Sequence, residues 1–159
     1  MTVMLAALMA AMGIGFVGGM RSMSAPAVVA WAAHLGWIHL SGSPLAFMSS
    51  IWSVGVFTAC ACGEFVGDLL PFAPARTSIF PLTVRIVVGL LNGACLAVAC
   101  GILLWLGAVA GAIGAVAGAF GGYRARVGLV RSLHVADAVI AIPEDVVAVA
   151  LGLLAVSRF

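Results

Sequence analysis

Apolar residues fill six long stretches of this chain, and short segments with polar residues or proline separate them. The stretches cover roughly residues 3–20, 25–40, 51–70, 84–104, 107–122 and 136–156. Most approach the length of about 20 residues that a helix needs to cross a bilayer. The pattern predicts an all-α transmembrane bundle of about six spans, in a single domain over residues 1–159. The second and fifth stretches are short for a full crossing, so either could be re-entrant.

Composition agrees with this interpretation, because hydrophobic residues make up 65% of the chain and charged residues only 8%. A soluble domain carries roughly 25% charged residues, so this chain is expected to lie in the lipid bilayer. The net charge of +2 lies at the predicted span ends and does not suggest nucleic acid. No nucleophile elbow, phosphate loop or HExxH motif occurs. We therefore expect neither an enzyme nor a cofactor.

Arginine and tryptophan positions predict the orientation of the spans. With six crossings, every arginine except Arg158 falls on one side, and an arginine excess marks the cytoplasmic side. Trp37, Trp52 and Trp105 lie at the opposite ends of their spans, where an indole favours the interface. Both termini are therefore predicted to face outward.

Small residues form a stripe along the fifth stretch, where Gly114, Gly118 and Gly122 recur at a spacing of four. The first stretch has a weaker version over residues 15–19. Such stripes let helices approach closely in lipid. Here they predict sliding or dimer contacts, and hence a homodimer.

The two glycine-rich stretches end in similar sequences, Gly-Gly-Met-Arg at residues 18–21 and Gly-Gly-Tyr-Arg at residues 121–124. An internal duplication, with halves of about 1–80 and 84–159, would explain the match, and transporters often contain one. A chance match in low-complexity sequence is the alternative.

Four of the five acids lie inside or at the mouths of apolar stretches, where a carboxylate is seldom without a partner or a task. Glu64 and Asp68 are four residues apart and share one helical face, which Cys60 extends. Two carboxylates this close repel each other unless a cation or an arginine lies between them. One hypothesis is a cation or proton site, with these three residues as candidate metal ligands. The alternative is an ion pair with an arginine that ties helix ends together.

The sixth stretch contains Pro143, followed by Glu144 and Asp145. Proline fits the first turn of a helix better than its interior, and acids there complement the positive helix end. We therefore predict a proline-broken last span lined by both acids, since discontinuous helices often build ion sites. The alternative is a span that simply begins at Pro143, with the acids as caps. Asp137 is expected to be a solvated pairing residue.

The arginines near these acids are their expected partners, and the candidates are Arg21, Arg76, Arg85 and Arg124. Arg76 lies in the proline-rich connection of residues 70–81, which we expect to fold back onto the bundle. Its guanidinium could bind a phosphate or a carboxylate, and interface anchoring is the alternative.

Three segments resemble the domain of unknown function 4126, a family of small bacterial membrane proteins with plant relatives. They are Gly-Met-Arg-Ser-Met-Ser-Ala-Pro at residues 19–26, Gly-Glu-Phe-Val-Gly-Asp-Leu-Leu-Pro at 63–71 with Pro-Ala-Arg-Thr at 74–77, and Gly-Ala-Phe-Gly-Gly-Tyr-Arg at 118–124 with Glu144 and Asp145. The resemblance covers about residues 13–152 and implies a protein of the bacterial inner membrane. It implies no particular activity.

A weaker similarity is to the cation/proton exchanger family with the repeated motif Glu-x-Gly-Asp-Lys-Thr. Here Glu64-Phe-Val-Gly-Asp68 has one extra residue before the glycine, and two leucines replace Lys-Thr. The similarity is an analogy for acids in paired helices, and it transfers no residue role.

Two functional hypotheses follow from the sequence. The first is a small transporter or channel that moves a cation or protons through a carboxylate and arginine centre open to the cytoplasm. The second is a non-transporting module, either an anionic-lipid binder or an assembly factor, in which the same charges are structural. A lipid-processing enzyme built from the acids and His34 is a third possibility, and the absence of a nucleophile paired with a base argues against it.

Overall fold

The computed structural model describes residues 2–67, 78–134 and 137–157, and within these residues it is helical without strands. The helices are α1 (Thr2–Met20), α2 (Ser24–His34), α3 (Ile51–Gly67), α4 (Ile79–Ala99), α5 (Leu104–Leu133) and α6 (Asp137–Val156), with a short 3₁₀ helix at Ala46–Ser49. Among the described residues, α1, α4, α5 and α6 are long and apolar enough to cross a membrane, and α3 is a shorter apolar helix. The predicted all-α transmembrane bundle is confirmed.

Glycines bring α1, α4 and α5 into backbone contact. A Cβ atom placed on Gly15 of α1 or on Gly89 of α4 would overlap the carbonyl oxygen of Gly111 in α5. Further along the α4–α5 pair, a Cβ on Gly93 would overlap the carbonyl oxygen of Gly107. Lipid offers no hydrophobic drive for helix association, so this close packing supplies dispersion energy that larger side chains would prevent.

The stripe predicted for dimer contacts is occupied inside one chain. A Cβ on Gly114 or Gly118 of α5 would overlap the carbonyl oxygens of Met12 and Phe16 in α1. The glycine faces of the first and fifth stretches therefore pack against each other. A homodimer stays a prediction, and its contacts would have to use another surface.

Two helices differ in length from the sequence prediction. Helix α2 ends at His34 instead of near residue 40, so it has only 11 residues and is about 16 Å long. Nine of its residues are buried, and it is too short for a full crossing, as the sequence suggested. Helix α5 has 30 residues and extends well beyond residue 122 at its carboxyl end. Residues 121–124 thus lie inside a helix, because Gly121 and Gly122 keep helical geometry and the arginine-rich sequence after them continues it. The predicted helix end at this position is wrong, and the internal duplication stays a prediction.

The proline break predicted in the last span is also wrong. Helix α6 is continuous from Asp137 to Val156, with Pro143 inside it. Proline removes one backbone hydrogen bond, but membrane helices tolerate this loss where neighbouring groups compensate. Because Glu144 and Asp145 point from consecutive positions of one helix, they reach different partners.

Candidate functional site

Six charged side chains meet where α1 ends and α2 begins, and we call them the charged cluster. Its members come from the α1–α2 turn and from α3, α4, α5 and α6: Arg21, Glu64, Arg85, Arg126, Glu144 and Asp145. The cluster therefore links all the long helices at one end of the bundle.

Glu64 caps the amino end of α2. Its Oε1 accepts hydrogen bonds from the Ser22 backbone N–H (2.9 Å) and the Ser22 hydroxyl (3.0 Å), and its Oε2 accepts from the Met23 N–H (2.8 Å). Backbone donors at the start of a helix have no partner within the helix, and the helix dipole favours an anion there. Glu64 therefore acts as a capping group supplied by another helix.

Arg85 performs the opposite task at the carboxyl end of α1. Its Nη1 donates to the carbonyl oxygens of Gly19 (2.7 Å) and Met20 (3.0 Å), which lie in the last turn of α1. Its Nη2 lies 3.9 Å from Glu64 Oε1, and the residue is only 5% exposed. One ion pair thus joins the caps of two helix ends, so the break between α1 and α2 is stabilised on both sides.

Arg21 occupies the break itself and is 1% exposed. Its Nη2 forms a salt bridge with Asp145 Oδ1 of α6, and its guanidinium lies 5.5 Å from the centre of the Phe65 ring. An arginine this deeply buried requires a counter-charge, because an unpaired buried charge is strongly unfavourable. Arg21 and Asp145 therefore join the α1–α2 turn to α6.

The third pair joins α5 to α6, between Arg126 Nη1 and Glu144 Oε2 at 3.3 Å, with both side chains largely buried. It lies on the wall of a cavity of about 400 Å³ between these two helices. The rest of the lining is mainly apolar, with Leu129 on α5 and Ile140 and Val147 on α6. The cavity is thus a hydrophobic space with one ion pair on its wall.

The structure brings together most of the predicted site residues. Arg21, Arg85, Glu64, Glu144 and Asp145 all belong to the charged cluster. Asp68 and Arg76 lie outside the described residues. Arg124 is exposed and forms no ion pair with a described residue, so it is not part of the cluster.

The predicted metal site gains no support from the described residues. No group of three or more histidine, cysteine, aspartate or glutamate side chains comes together among them. Cys60 is exposed, while Glu64 turns toward the α1–α2 break. The acids lie beside arginines instead of beside each other.

The sequence interpretation missed Arg126 of the charged cluster and two other buried polar residues. The sequence interpretation used Arg126 only to predict the orientation of the spans. In the structure it lies on the same face of α5 as Gly122, four residues earlier. The other two are Asn92, which is fully buried, and Ser24, which is 2% exposed. Their polar side-chain atoms have no hydrogen-bond partner among the described residues. Asn92 is the only asparagine of the chain and follows Arg85 by seven residues, on the same helical face, which is a usable signal.

Comparison with known families matches nearly all of the chain to one of them. The family described as Domain of unknown function (DUF4126) matches residues 8–158. The chain therefore belongs to the DUF4126 family, as its sequence segments suggested. No curated protein and no solved structure matches it.

Proposed function

We propose that this protein is a non-transporting, non-enzymatic membrane module that binds anionic lipid at its cytoplasmic end, and that the charged cluster is structural. The observation that carries the proposal is the pairing of the acids. Each acid with a described side chain, namely Glu64, Glu144 and Asp145, lies beside an arginine from another element. A carboxylate that carries a cation or protons needs to exchange partners, whereas each of these carboxylates joins its own helix to another part of the bundle.

Exposed arginines supply the lipid-binding part of the proposal. Arg124 and Arg131 are exposed and seven residues apart, so they share one face of α5. That face continues from Ile113 and Phe120, which are exposed apolar residues suited to lipid contact. Arginines at the end of an apolar stripe favour the anionic cytoplasmic leaflet, at about 1 kcal/mol for each residue near the surface. In this proposal the protein lies in the bacterial inner membrane with both termini outside.

Lipid binding is tested by counting the phospholipids that remain on the purified protein. We expect Arg124→Gln and Arg131→Gln, alone and together, to lower the amount of copurified anionic lipid without changing folded yield. The matched control is Arg158→Gln, which removes an arginine predicted to lie on the other side. Equal loss of lipid from the control would contradict a cytoplasmic site.

A transporter or channel is the second candidate, and one observation favours it. The chain breaks between α1 and α2 inside the bundle, and both free helix ends point at charged groups, Arg85 and Glu64. Discontinuous helices with charged groups at their ends recur in transporters. In this role Glu64 would release the Ser22 and Met23 amides, just before α2, when an ion or proton passes.

Glu64→Gln separates the two functions. Glutamine is similar in size but neutral, so the variant removes the charge with little change in shape. If the cluster is structural, the variant has a lower folded yield, and proteoliposomes of either protein show no proton flux with a pH-sensitive dye. If the protein transports protons, the wild type shows flux and the variant loses it while remaining folded. Ser22→Ala serves as a control, because it removes one hydrogen bond to Glu64 and no charge.

A further inference from the structure

Helices α1, α4 and α5 form a tightly joined scaffold, whereas α2 packs against this scaffold more loosely. A Cβ atom on Gly19 of α1 would overlap the carbonyl oxygen of Ala115 in α5, so the scaffold helices meet backbone to backbone. A Cβ on Gly18 would instead lie 3.5 Å from the Ala25 side chain of α2 and 3.6 Å from that of Val88 in α4, which is ordinary van der Waals contact. Helix α2 therefore meets the scaffold through side chains, along a surface around Gly18, Ala25 and Val88 that we call the seam.

Helix α2 is bonded to α3 at both of its ends. In its last turn, Trp31 Nε1–H donates to the Thr58 hydroxyl of α3 at 3.1 Å, and Glu64 of α3 accepts the amides just before α2. Arg85 of α4 binds carbonyl oxygens in the last turn of α1 at 2.7 and 3.0 Å, whereas it lies 3.9 Å from Glu64. Each cap thus binds on its own side of the seam, and the contact between the two caps is a longer one.

The backbone at both ends of α2 suits rotation of this helix as a unit. Residues 21–23 form a turn between α1 and α2, and Gly36, just after α2, has a φ of +78°, in the left-handed region that favours glycine. Hinges are a few residues at the ends of elements that absorb a change of backbone angles. Together with the bonds to α3, these hinges make the α2–α3 pair a unit that can move against the scaffold.

Buried polar groups beside the seam favour a hydrated state. Asn92 lies one turn beyond Val88 on the same side of α4 and is fully buried, and its carboxamide has no hydrogen-bond partner among the described residues. Ser24, beside Ala25 in the first turn of α2, is 2% exposed and equally lacks a partner there. An unpaired polar group loses free energy when it is removed from water. The closed seam is therefore less stable with asparagine at position 92 than with an apolar residue.

We propose that the α2–α3 pair rocks away from the scaffold, so that water enters the seam from the charged cluster and reaches Asn92. The structure shows the closed conformation. In the open one, Arg85 and Glu64 separate while each keeps its bonds to a helix end. The inference goes beyond the proposed lipid binding, because the motion requires no bound lipid.

Cys95 is a native reporter for the open seam. It is fully buried and follows Val88 by seven residues, on the same side of α4. Maleimide reacts with the thiolate, which forms readily in water and poorly in an apolar core. The protein is reconstituted in nanodiscs, treated with N-ethylmaleimide, and the alkylation rate of Cys95 is followed by mass spectrometry of its peptide. Ala97→Cys is the matched control, because Ala97 is fully buried on the same helix but faces Gly107 of α5, inside the scaffold.

We expect Cys95 to react in the wild type and to react about tenfold more slowly in Asn92→Leu, which removes the cost of one buried unpaired polar group. The thiol in Ala97→Cys should react much more slowly than Cys95. If that variant folds poorly, Ala119→Cys replaces it, since Ala119 is fully buried between α5 and α1.

Three results would overturn the opening of the seam. They are an unreactive Cys95 in the wild type, an unchanged rate in Asn92→Leu, and a control thiol that reacts as fast as Cys95, which would indicate unfolding of the whole bundle. Copurified lipid plays no part in this measurement. A rigid seam therefore leaves the lipid proposal standing, and a protein without bound lipid leaves this one standing.

Discussion

Two side chains of the charged cluster act on helix ends as well as on each other. Glu64 binds the amides that open α2, and Arg85 binds the carbonyls that close α1. Each therefore stabilises a helix terminus as well as an opposite charge, and loss of either removes both contacts. This double role gives a structural reason for charged residues among apolar side chains.

We expect the salt bridge between Arg21 and Asp145 to stabilise the folded protein. Asp145→Asn removes the salt bridge to a guanidinium that is 1% exposed, and we expect the free energy of unfolding to fall, by at most about 3–5 kcal/mol. Thermal unfolding in detergent checks this, with Asp145→Glu as the control that keeps the charge. The double variant Arg21→Met, Asp145→Leu removes both charges and should recover much of the loss. An Asp145→Asn protein as stable as the wild type would contradict a buried ion pair.

Asn92 allows a test of a buried polar group. Its carboxamide is fully buried without a hydrogen-bond partner among the described residues. Leucine has a similar size and nothing to desolvate, so Asn92→Leu should be neutral or should raise the melting temperature. Marked destabilisation by leucine would instead show that the amide binds a buried water molecule or ligand.

Among the helices, most elements could be predicted from the sequence, and the failures have physical causes. Long apolar runs locate α1 and α3 well and α4 with an error of five residues at each end, because burial in lipid requires continuous hydrophobicity. The carboxyl end of α5 was missed because a helix continues into water without an apolar signal. The predicted break at Pro143 was wrong because a membrane helix tolerates an interior proline where neighbouring groups satisfy the freed backbone groups.

The candidate site, like the helices, could be predicted only in part from the sequence. Its acids and two of its arginines were predictable, because charge inside an apolar run is rare and needs a partner. The pairing was not predictable, since the partners come from helices up to 124 residues apart, as Arg21 and Asp145 show. Sequence spacing suggested that Glu64 belongs with Asp68, while the fold turns Glu64 toward the amides at Ser22 and Met23.

Helix packing around Gly111 gives a prediction at this scale. A side chain there would overlap the Gly89 carbonyl oxygen and crowd Gly93, so Gly111→Ala should lower the free energy of unfolding by about 1–3 kcal/mol. Gly13→Ala is the matched control, because it is also a helical glycine but has nothing within 4 Å of the new methyl group. The control should be neutral or slightly stabilising, since alanine favours helix. Equal effects of the two substitutions in thermal unfolding would contradict close packing at Gly111.

For the whole molecule, the charged cluster and the arginine end of α5 lie on the same side, and this asymmetry predicts orientation. Helix α5 is about 45 Å long, which exceeds a hydrocarbon core of about 30 Å, so part of it extends beyond the lipid tails. Its exposed Arg124 and Arg131 predict a cytoplasmic location for that part. Helix α1 starts, and α6 ends, away from the cluster, so both termini should be outside.

Alkaline phosphatase fused after residue 157 should be active and green fluorescent protein there should be dark, whereas fusions after Leu133 should show the reverse. A bright fluorescent fusion at the carboxyl terminus would place the arginines outside, and anionic lipid of the cytoplasmic leaflet could then not be their ligand.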